Sequence, residues 1–112
     1  MTKNLDKEGL SSIVDNYQLF YVDLWGVVHN GVTLHNEAIK ALKEISKKKK
    51  DYILLTNAPR PNYSVKSFLE KLGMDKEIRD HVFTSGEAAL LYLKKNLLGK
   101  TFFHVCPPIE YD

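Results

Sequence analysis

The chain is poor in the features that mark secreted, membrane-bound or nucleic-acid-binding proteins. Cys106 is the only cysteine in 112 residues, so an internal disulfide is impossible and a reducing compartment, the cytoplasm, is expected. No apolar run approaches the ~20 residues that a membrane-spanning helix needs, and the first ten residues lack the apolar stretch of a signal peptide. The formal net charge of +2 is too small to predict binding to nucleic acid or to a membrane surface.

The length and composition allow one folded domain or part of one. The sequence is 44% hydrophobic and 27% charged, as in ordinary globular proteins, so disorder is not indicated. Much of the positive charge lies in four consecutive lysines at 47–50. We interpret them as the solvated end of a helix, where cations are favoured by the helix dipole, rather than as a nucleic-acid patch.

The most informative stretch is 19–28, which reads LFYVDLWGVV. Its continuous apolar run is typical of a parallel strand covered on both faces, which we predict at 19–24. Asp23 follows the run directly, and ligands bind such sheets where the strands end. A carboxylate after a buried strand must be solvated, paired or bound to metal. Asp23 is therefore either the start of an ordinary loop or a functional acid.

The rest of the chain alternates between helical and strand patterns. We predict helices at 9–17, 37–49, 62–72 and 85–99, and further strands at 52–56, 81–84 and 101–105. The alternation predicts an α/β fold with a parallel sheet and right-handed crossovers. Three cap signals support the helix bounds, namely Asn36 as an N-cap, Gly73 after a helix end, and Thr84 with Glu87 as a capping box.

Between the first strand and the first long helix, Asn30 and Gly31 favour a two-residue type I′ turn in a small hairpin. His29 lies on this hairpin, and we interpret it as structural or solvated rather than catalytic. The carboxyl ends of three predicted strands place Asp23, Thr56 and Thr84 at one edge of the sheet. Because neighbouring strands lie ~4.8 Å apart, Asp23 and Thr56 can bracket one small anion. The pattern predicts a site but not a reaction.

Three stretches, 23–27 (DLWGV), 54–57 (LLTN) and 82–89 (VFTSGEAA), resemble motifs of the haloacid dehalogenase superfamily. The likeness is to its class IIA branch of sugar-phosphate and nitrophenylphosphate phosphatases, in order as well as in spacing. The resemblance implies part of a Rossmann-like three-layer sandwich with a parallel sheet. Residues 1–99 would form the N-terminal part of the core and residues 100–112 the start of a cap domain, without the C-terminal strands or most of the cap.

The resemblance also implies a role for each site residue. Asp23 would be the nucleophile that forms an aspartyl-phosphate, which water then cleaves. Thr56 and Asn57 would bind phosphoryl oxygens. Mg²⁺ would bridge Asp23 and the phosphate, with the backbone carbonyl of Trp25 as a further metal ligand. The substrate of the completed enzyme would be a small phosphorylated metabolite.

Two departures from the family pattern lead us to expect that the chain alone is inactive. Most of these phosphatases carry an aspartate where Trp25 stands, and losing such a general acid typically costs ~10²–10⁴-fold in rate. The family's lysine and its acidic metal-binding pair would lie beyond residue 112. The strand at 19–24 would then have an unpaired apolar edge, so we expect self-association or a complementing C-terminal chain.

Two other interpretations remain open at this point. One is a non-catalytic, truncated gene product. The other is a small receiver-like or flavodoxin-like domain in which Asp23 accepts a phosphoryl group. Receiver domains need further acids beside the phospho-acceptor, and Asp6 and Asp15 are poorly placed for that.

Overall fold

The computed structural model describes residues 4–96, 101 and 103 and has an open, three-stranded parallel sheet. The strands β1 (Leu19–Asp23), β2 (Asp51–Thr56) and β3 (Val82–Thr84) lie in the order β1-β2-β3. The helices are α1 (Leu5–Glu8), α2 (Asn36–Lys47), α3 (Asn62–Lys71), α4 (Lys76–Arg79) and α5 (Ser85–Asn96). The predicted α/β fold with a parallel sheet is confirmed.

The three described strands match their predicted positions to within a residue at each end. The predicted strand at 101–105, the predicted helix end at Gly99 and most of the proposed cap segment at 100–112 lie outside the described residues. No helix in the part of the chain that the structure covers is long and apolar enough to cross a membrane.

The register of the sheet brings the carboxyl ends of the strands level with one another. Asp23 pairs with Leu55 of β2, and Thr56 at the end of β2 pairs with Thr84 at the end of β3. The side chains that follow or end these strands therefore meet at one edge, as the alternating pattern predicts.

A single hydrophobic core lies between one face of the sheet and the helices α2 and α3. Leu54 on the central strand is fully buried, as is Leu69 of α3, and Leu42 and Ile45 of α2 are nearly so. Val14, Leu24, Val28, Tyr52, Met74, Ile78 and Val82 complete the buried cluster. Removal of this apolar surface from water is the main source of the fold's stability.

No described element covers the opposite face of the sheet, which corrects the prediction that the first strand is covered on both faces. Tyr21 is 67% exposed, and Leu19, Leu55 and Phe83 on the same face are between 36% and 42% exposed. The reason is that α2 and α3 both pack against the other face. Among the described residues β1 also has only β2 as a neighbour, so its outer edge is unpaired, as expected.

The predicted helix at 9–17 is wrong, since this segment forms two 3₁₀ turns, Leu10–Ser12 and Val14–Asn16. Gly9 precedes them with φ +71°, outside the helical region, and the Ser12 hydroxyl donates to the Gly9 carbonyl at 2.9 Å. Such local side-chain hydrogen bonds compete with a regular helix. The turns place Val14 in the core.

The predicted type I′ turn is also wrong. That turn needs positive φ at both central residues, but only Gly31 has it, at +90°. Instead the Asn30 carboxamide oxygen accepts from the N–H groups of Val32 and Thr33 at 2.9 and 2.8 Å. A single antiparallel bridge, between His29 and Leu34, replaces the arms of a hairpin. The turn is therefore made by the hydrogen bonds of the Asn30 side chain and not by a positive φ at Asn30.

Of the predicted helix caps, Gly73 is confirmed. It has φ +87°, its N–H donates to Glu70, and the N–H of Met74 donates to the carbonyl of Leu69, which together form a Schellman motif. The predicted N-cap Asn36 is one residue too late in the chain, because α2 already includes it. The N-cap is His35, which makes no capping side-chain hydrogen bond. No pattern in the sequence predicts α4, because its four residues are too few to show a helical repeat.

Candidate active site

A cleft of about 650 Å³ opens at the carboxyl end of the sheet. The three residues predicted to act on a phosphate with their side chains, Asp23, Thr56 and Asn57, all line it. The other lining residues are Tyr21, Val22, Leu55, Phe83, Thr84, Ser85 and Ala88. The structure thus brings the predicted carboxylate and hydroxyl into one cleft, although they are 33 positions apart in the chain.

The Asp23 carboxylate is exposed and only half engaged. Its Oδ1 accepts a hydrogen bond from the N–H of Leu24 at 2.9 Å, which fixes the side chain at the start of the following loop. Its second oxygen has no hydrogen-bond partner among the described residues. One carboxylate oxygen is therefore held while the other is available to a ligand.

The Thr56 hydroxyl is arranged as a donor toward the cleft. Its oxygen accepts from the N–H of Ala58 at 3.3 Å, and its proton has no acceptor within the described part of the chain. Asn57 is exposed beside it, and its carboxamide makes no hydrogen bond to the described residues. Both side chains can donate to an anion in the cleft.

Thr84 has a different role, because its hydroxyl is already used. It is 1% exposed, donates to the carbonyl of Arg60, and accepts from the N–H of Glu87 at 2.9 Å, which confirms it as the N-cap of α5. The second hydrogen bond of the predicted capping box, from the N–H of Thr84 to the side chain of Glu87, is replaced by two others. Glu87 accepts from the N–H of Asn62, and Asn62 accepts from the N–H of Thr84, both at 2.9 Å.

Ser85, which lines the cleft, and the adjacent Gly86 were not identified as functional from the sequence. The Ser85 hydroxyl donates to the carbonyls of Asn57 and Ala58 at 2.9 and 3.0 Å. A Cβ on Gly86 would lie 2.5 to 2.7 Å from the backbone of Arg60, so only glycine allows the loop to approach this closely. The signal was a pair of small residues directly after a strand, inside the motif at 82–89.

The side chain of Trp25 packs on the loop at 25–34 and does not line the cleft. Its ring lies against Gly31, where a Cβ would come within 2.5 Å of it, and meets the His29 ring edge-on at 5.4 Å. The backbone carbonyl of Trp25 accepts no hydrogen bond from the described residues. Of the two roles open to the indole, pocket wall or packing, the structure favours packing.

His29 is a buried structural residue. It is 5% exposed, lies edge-on to Trp25 and Phe68, and accepts at Nδ1 from the N–H of Gly31 at 3.0 Å. Burial lowers its pKa below the usual 6.5, and nearby His35 lowers it further, while the charge of Asp23 acts in the opposite direction. The neutral ring, with its proton on Nε2, is thus the form that the folded loop requires.

This burial predicts a pH dependence of stability. The unfolded chain binds a proton at His29 near pH 6.5, whereas the folded chain binds it only at lower pH, so the unfolded state holds more protons in between. The contribution of His29 is fully present above about pH 6.5 and is lost as pH falls through the lower folded pKa. We expect urea midpoints to decrease over that interval, and His29→Asn, which keeps an acceptor for Gly31, to reduce this slope.

An equal slope in His29→Asn would contradict this assignment. The carboxylates of Asp75 and Asp80 are not expected to contribute to this pH dependence. Their pKa values are lowered, by hydrogen bonds from Lys43 and from Lys76 with Lys66 respectively, so that they titrate below pH 3.8, outside the histidine interval.

The cleft contains one of the two predicted magnesium ligands, the Asp23 carboxylate, whereas Trp25 is not among the residues that line it. Mg²⁺ prefers oxygen ligands and is often held by one or two carboxylates, water and substrate phosphate. The open oxygen of Asp23 and the unengaged carbonyl of Trp25 are ligands of this kind. Within the described ranges, no three histidine, cysteine, aspartate or glutamate side chains are grouped to hold a metal ion.

Comparison with known proteins gives one family and several relatives. The sequence model of a family described as haloacid dehalogenase-like hydrolase matches residues 20–109. Phosphoglycolate phosphatase 2 of Arabidopsis thaliana is 32% identical over 99 residues, which are 86% of this chain and 32% of that protein. This chain therefore spans about a third of the length of that relative.

Two solved structures are similar to the fold described above. A haloacid dehalogenase-like hydrolase from Brucella suis is 35% identical with a TM-score of 0.68, covering 83% of this chain and 34% of that one. A 4-nitrophenylphosphatase from Thermotoga maritima has a TM-score of 0.65 and 24% identity, covering 76% of this chain and 33% of that one. The second match shows similarity of fold alone.

Proposed function

Because this chain belongs to the haloacid dehalogenase-like hydrolase family, we propose that it is the nucleophile-bearing part of a class IIA phosphomonoester hydrolase. Residues 1–99 would belong to the core and residues 100–112 to the start of a cap domain. The observation that carries the proposal is the shared cleft, in which Asp23 and Thr56 stand at the ends of neighbouring parallel strands. A carboxylate beside a hydroxyl donor is the arrangement that attack on a phosphate monoester needs.

In this proposal the free oxygen of Asp23 bonds to phosphorus while the bond from phosphorus to the leaving oxygen breaks. Water then adds to phosphorus, which restores the carboxylate and releases inorganic phosphate. Thr56 and Asn57 donate hydrogen bonds to the phosphoryl oxygens, where charge collects during the reaction. Mg²⁺, held by Asp23 and the carbonyl of Trp25, would supply the charge neutralisation that lets two anions approach.

The position of Trp25 limits the reaction at the leaving group. Its indole packs against Gly31 and His29 and carries no acidic proton, so residue 25 does not protonate the leaving oxygen. Substrates whose leaving group needs no protonation would react best. The substrate class remains a small phosphorylated metabolite.

We also propose that this chain alone binds phosphate without turning it over. Among the residues that line the cleft there is no lysine, and Asp23 is the only acidic one. A complementing chain, or further residues of a longer protein, would have to add a lysine and further acidic groups. The outer edge of β1 has no partner strand among the described residues, and a complementing strand, or a second copy of the chain, would pair there.

The experiment combines turnover with binding. We expect no Mg²⁺-dependent hydrolysis of 4-nitrophenyl phosphate above the level of Asp23→Asn. Inorganic phosphate added with Mg²⁺ is expected to shift the amide NMR signals of Asn57 and Ala58. Thr56→Val should weaken that binding about tenfold, because a hydrogen bond to a charged group is worth ~1.5–3 kcal/mol, and Thr56→Ser is the matched control that keeps the hydroxyl.

The possible outcomes separate the parts of the proposal. Turnover that Asp23→Asn abolishes would contradict inactivity of the chain but support the role of Asp23. Phosphate binding that Thr56→Val leaves unchanged would contradict the role of Thr56.

The receiver-like alternative gains no support from the structure. Asp15 pairs with Lys48 at 3.0 Å, near the amino ends of the strands, where the Asp51 N–H donates to Gln18. It therefore lies at the opposite end of the sheet from Asp23. Our proposal and the non-catalytic alternative both expect no turnover by this chain alone. They differ in whether a complementing C-terminal chain restores hydrolysis that Asp23→Asn abolishes.

A further inference from the structure

The motif at 82–89 holds the loop that carries the proposed phosphate-binding residues. Its residues Ser85 and Gly86 donate to that loop, the hydroxyl of Ser85 to the carbonyls of Asn57 and Ala58, and the N–H of Gly86 to Ala58 at 3.2 Å. A hydroxyl has one proton, so Ser85 shares it between two carbonyls. The proposed chemistry of the site gives this motif no role, although it contacts the site directly.

The geometry connects Ser85 to the Thr56 hydroxyl through one peptide group. The carbonyl of Asn57 and the N–H of Ala58 belong to the same peptide, which is planar and trans, as are all peptides of the described residues. Its two polar groups therefore point in opposite directions. When Ser85 fixes the carbonyl, the N–H is aimed at the oxygen of Thr56, which it reaches at 3.3 Å.

We propose that Ser85 is a positioning residue that orients the Thr56 hydroxyl for phosphate. The N–H of Ala58 occupies a lone pair of the Thr56 oxygen, so the hydroxyl proton turns away from Ala58 and into the cleft. Ser85 thereby acts on the ligand without touching it. The inference rests on the proposed function, because it assumes that the cleft binds a phosphoryl group.

The first test needs no ligand. In Ser85→Ala, we expect the amide of Ala58 to exchange its hydrogen about tenfold faster and its NMR signal to shift, because its peptide plane is no longer held. Ser85→Thr, which keeps the hydroxyl, should restore both values. Unchanged exchange at Ala58 in Ser85→Ala would overturn the inference, whatever the result with phosphate.

The second test is a double-mutant cycle with inorganic phosphate and Mg²⁺ on the 112-residue chain. We expect Ser85→Ala to weaken phosphate binding about fivefold to tenfold when Thr56 is present, which corresponds to the loss of one well-oriented hydrogen bond. In the Thr56→Val background the same change should have almost no effect. An equal loss in both backgrounds would mean that Ser85 contacts phosphate itself or only stabilises the fold, and would overturn the inference.

These readouts separate the inference from the proposed function. Suppose that the unmodified chain bound no phosphate, while Ser85→Ala still changed the exchange and the NMR signal of the Ala58 amide. The proposed function would then be wrong, and so would the proposed effect of Ser85 on phosphate binding. If phosphate bound through Thr56 while Ser85→Ala changed neither the amide nor the affinity, only the positioning role would fail. Thermal melts of each variant show whether a loss of affinity accompanies a loss of folding.

Discussion

Gly86→Ala is expected to lower the free energy of unfolding by ~1–3 kcal/mol, the usual cost of forcing an extra carbon into a packed site. The added Cβ would lie 2.5 Å from the nitrogen and 2.6 Å from the oxygen of Arg60, which are both backbone atoms. Arg60 stands between Pro59 and Pro61, whose rings fix φ, so the loop cannot easily move aside. Urea unfolding followed by circular dichroism measures the change.

The same substitution is expected to remove most phosphate binding, because displacing Arg60 displaces the loop that begins at Thr56. Helix propensity supplies the control. Alanine is favoured over glycine in a helix by about 1 kcal/mol, so Gly86→Ala should stabilise α5 if sterics played no part. Ala89→Gly, at an exposed position of the same helix, should destabilise by roughly that amount and leave phosphate binding intact. A stabilised Gly86→Ala variant would refute the close approach of loop and helix.

Leu54→Ala is expected to destabilise the fold by ~2–5 kcal/mol, a large part of the stability of a small domain. Leu54 is fully buried at the centre of the middle strand, and it pairs with Val22 on one side and Val82 on the other. Its removal leaves a cavity in the core between the sheet and the helices α2 and α3. The unfolding midpoint in urea measures the loss.

The neighbouring residue offers a matched control for this prediction. Leu55 is 38% exposed and points to the open face of the sheet, so Leu55→Ala should cost much less than Leu54→Ala. Equal costs would show that the open face is covered in solution. Both variants remove the same atoms from the same strand, so the comparison isolates burial.

Local patterns were sufficient to predict the strands and the residues that end them. The apolar runs before Asp23 and Thr56 define strands without reference to the rest of the chain, and parallel pairing then brings both residues to one edge. The pattern could not reveal that one face of β1 is open, because coverage depends on where other elements pack. The pattern also missed α4, because this helix is a single turn between Asp75 and Asp80 and is too short to show a helical repeat.

The contacts that shape the site were harder to predict because they join distant parts of the chain. Ser85 and Asn57 are 28 residues apart, and Asn62 and Glu87 are 25 apart. The capping-box pattern correctly identified Thr84 as an N-cap, but the partner of Glu87 could not be read from local spacing. Likewise the Asn-Gly pair indicated a bend without showing that the Asn30 side chain makes it.

We expect the outer edge of β1, which is unpaired among the described residues, to make the stability of this chain depend on its surroundings. Residues 19–22 include neither a charged residue nor a proline, the two kinds of residue that discourage strand pairing. Within the described structure, the peptide groups on the outer edge of this strand can form hydrogen bonds only with water. By mass action, any molecule that pairs with this edge draws the equilibrium toward the folded form, and dilution releases it again. We therefore expect the melting temperature to rise with the concentration of this chain, or of a partner that pairs with β1.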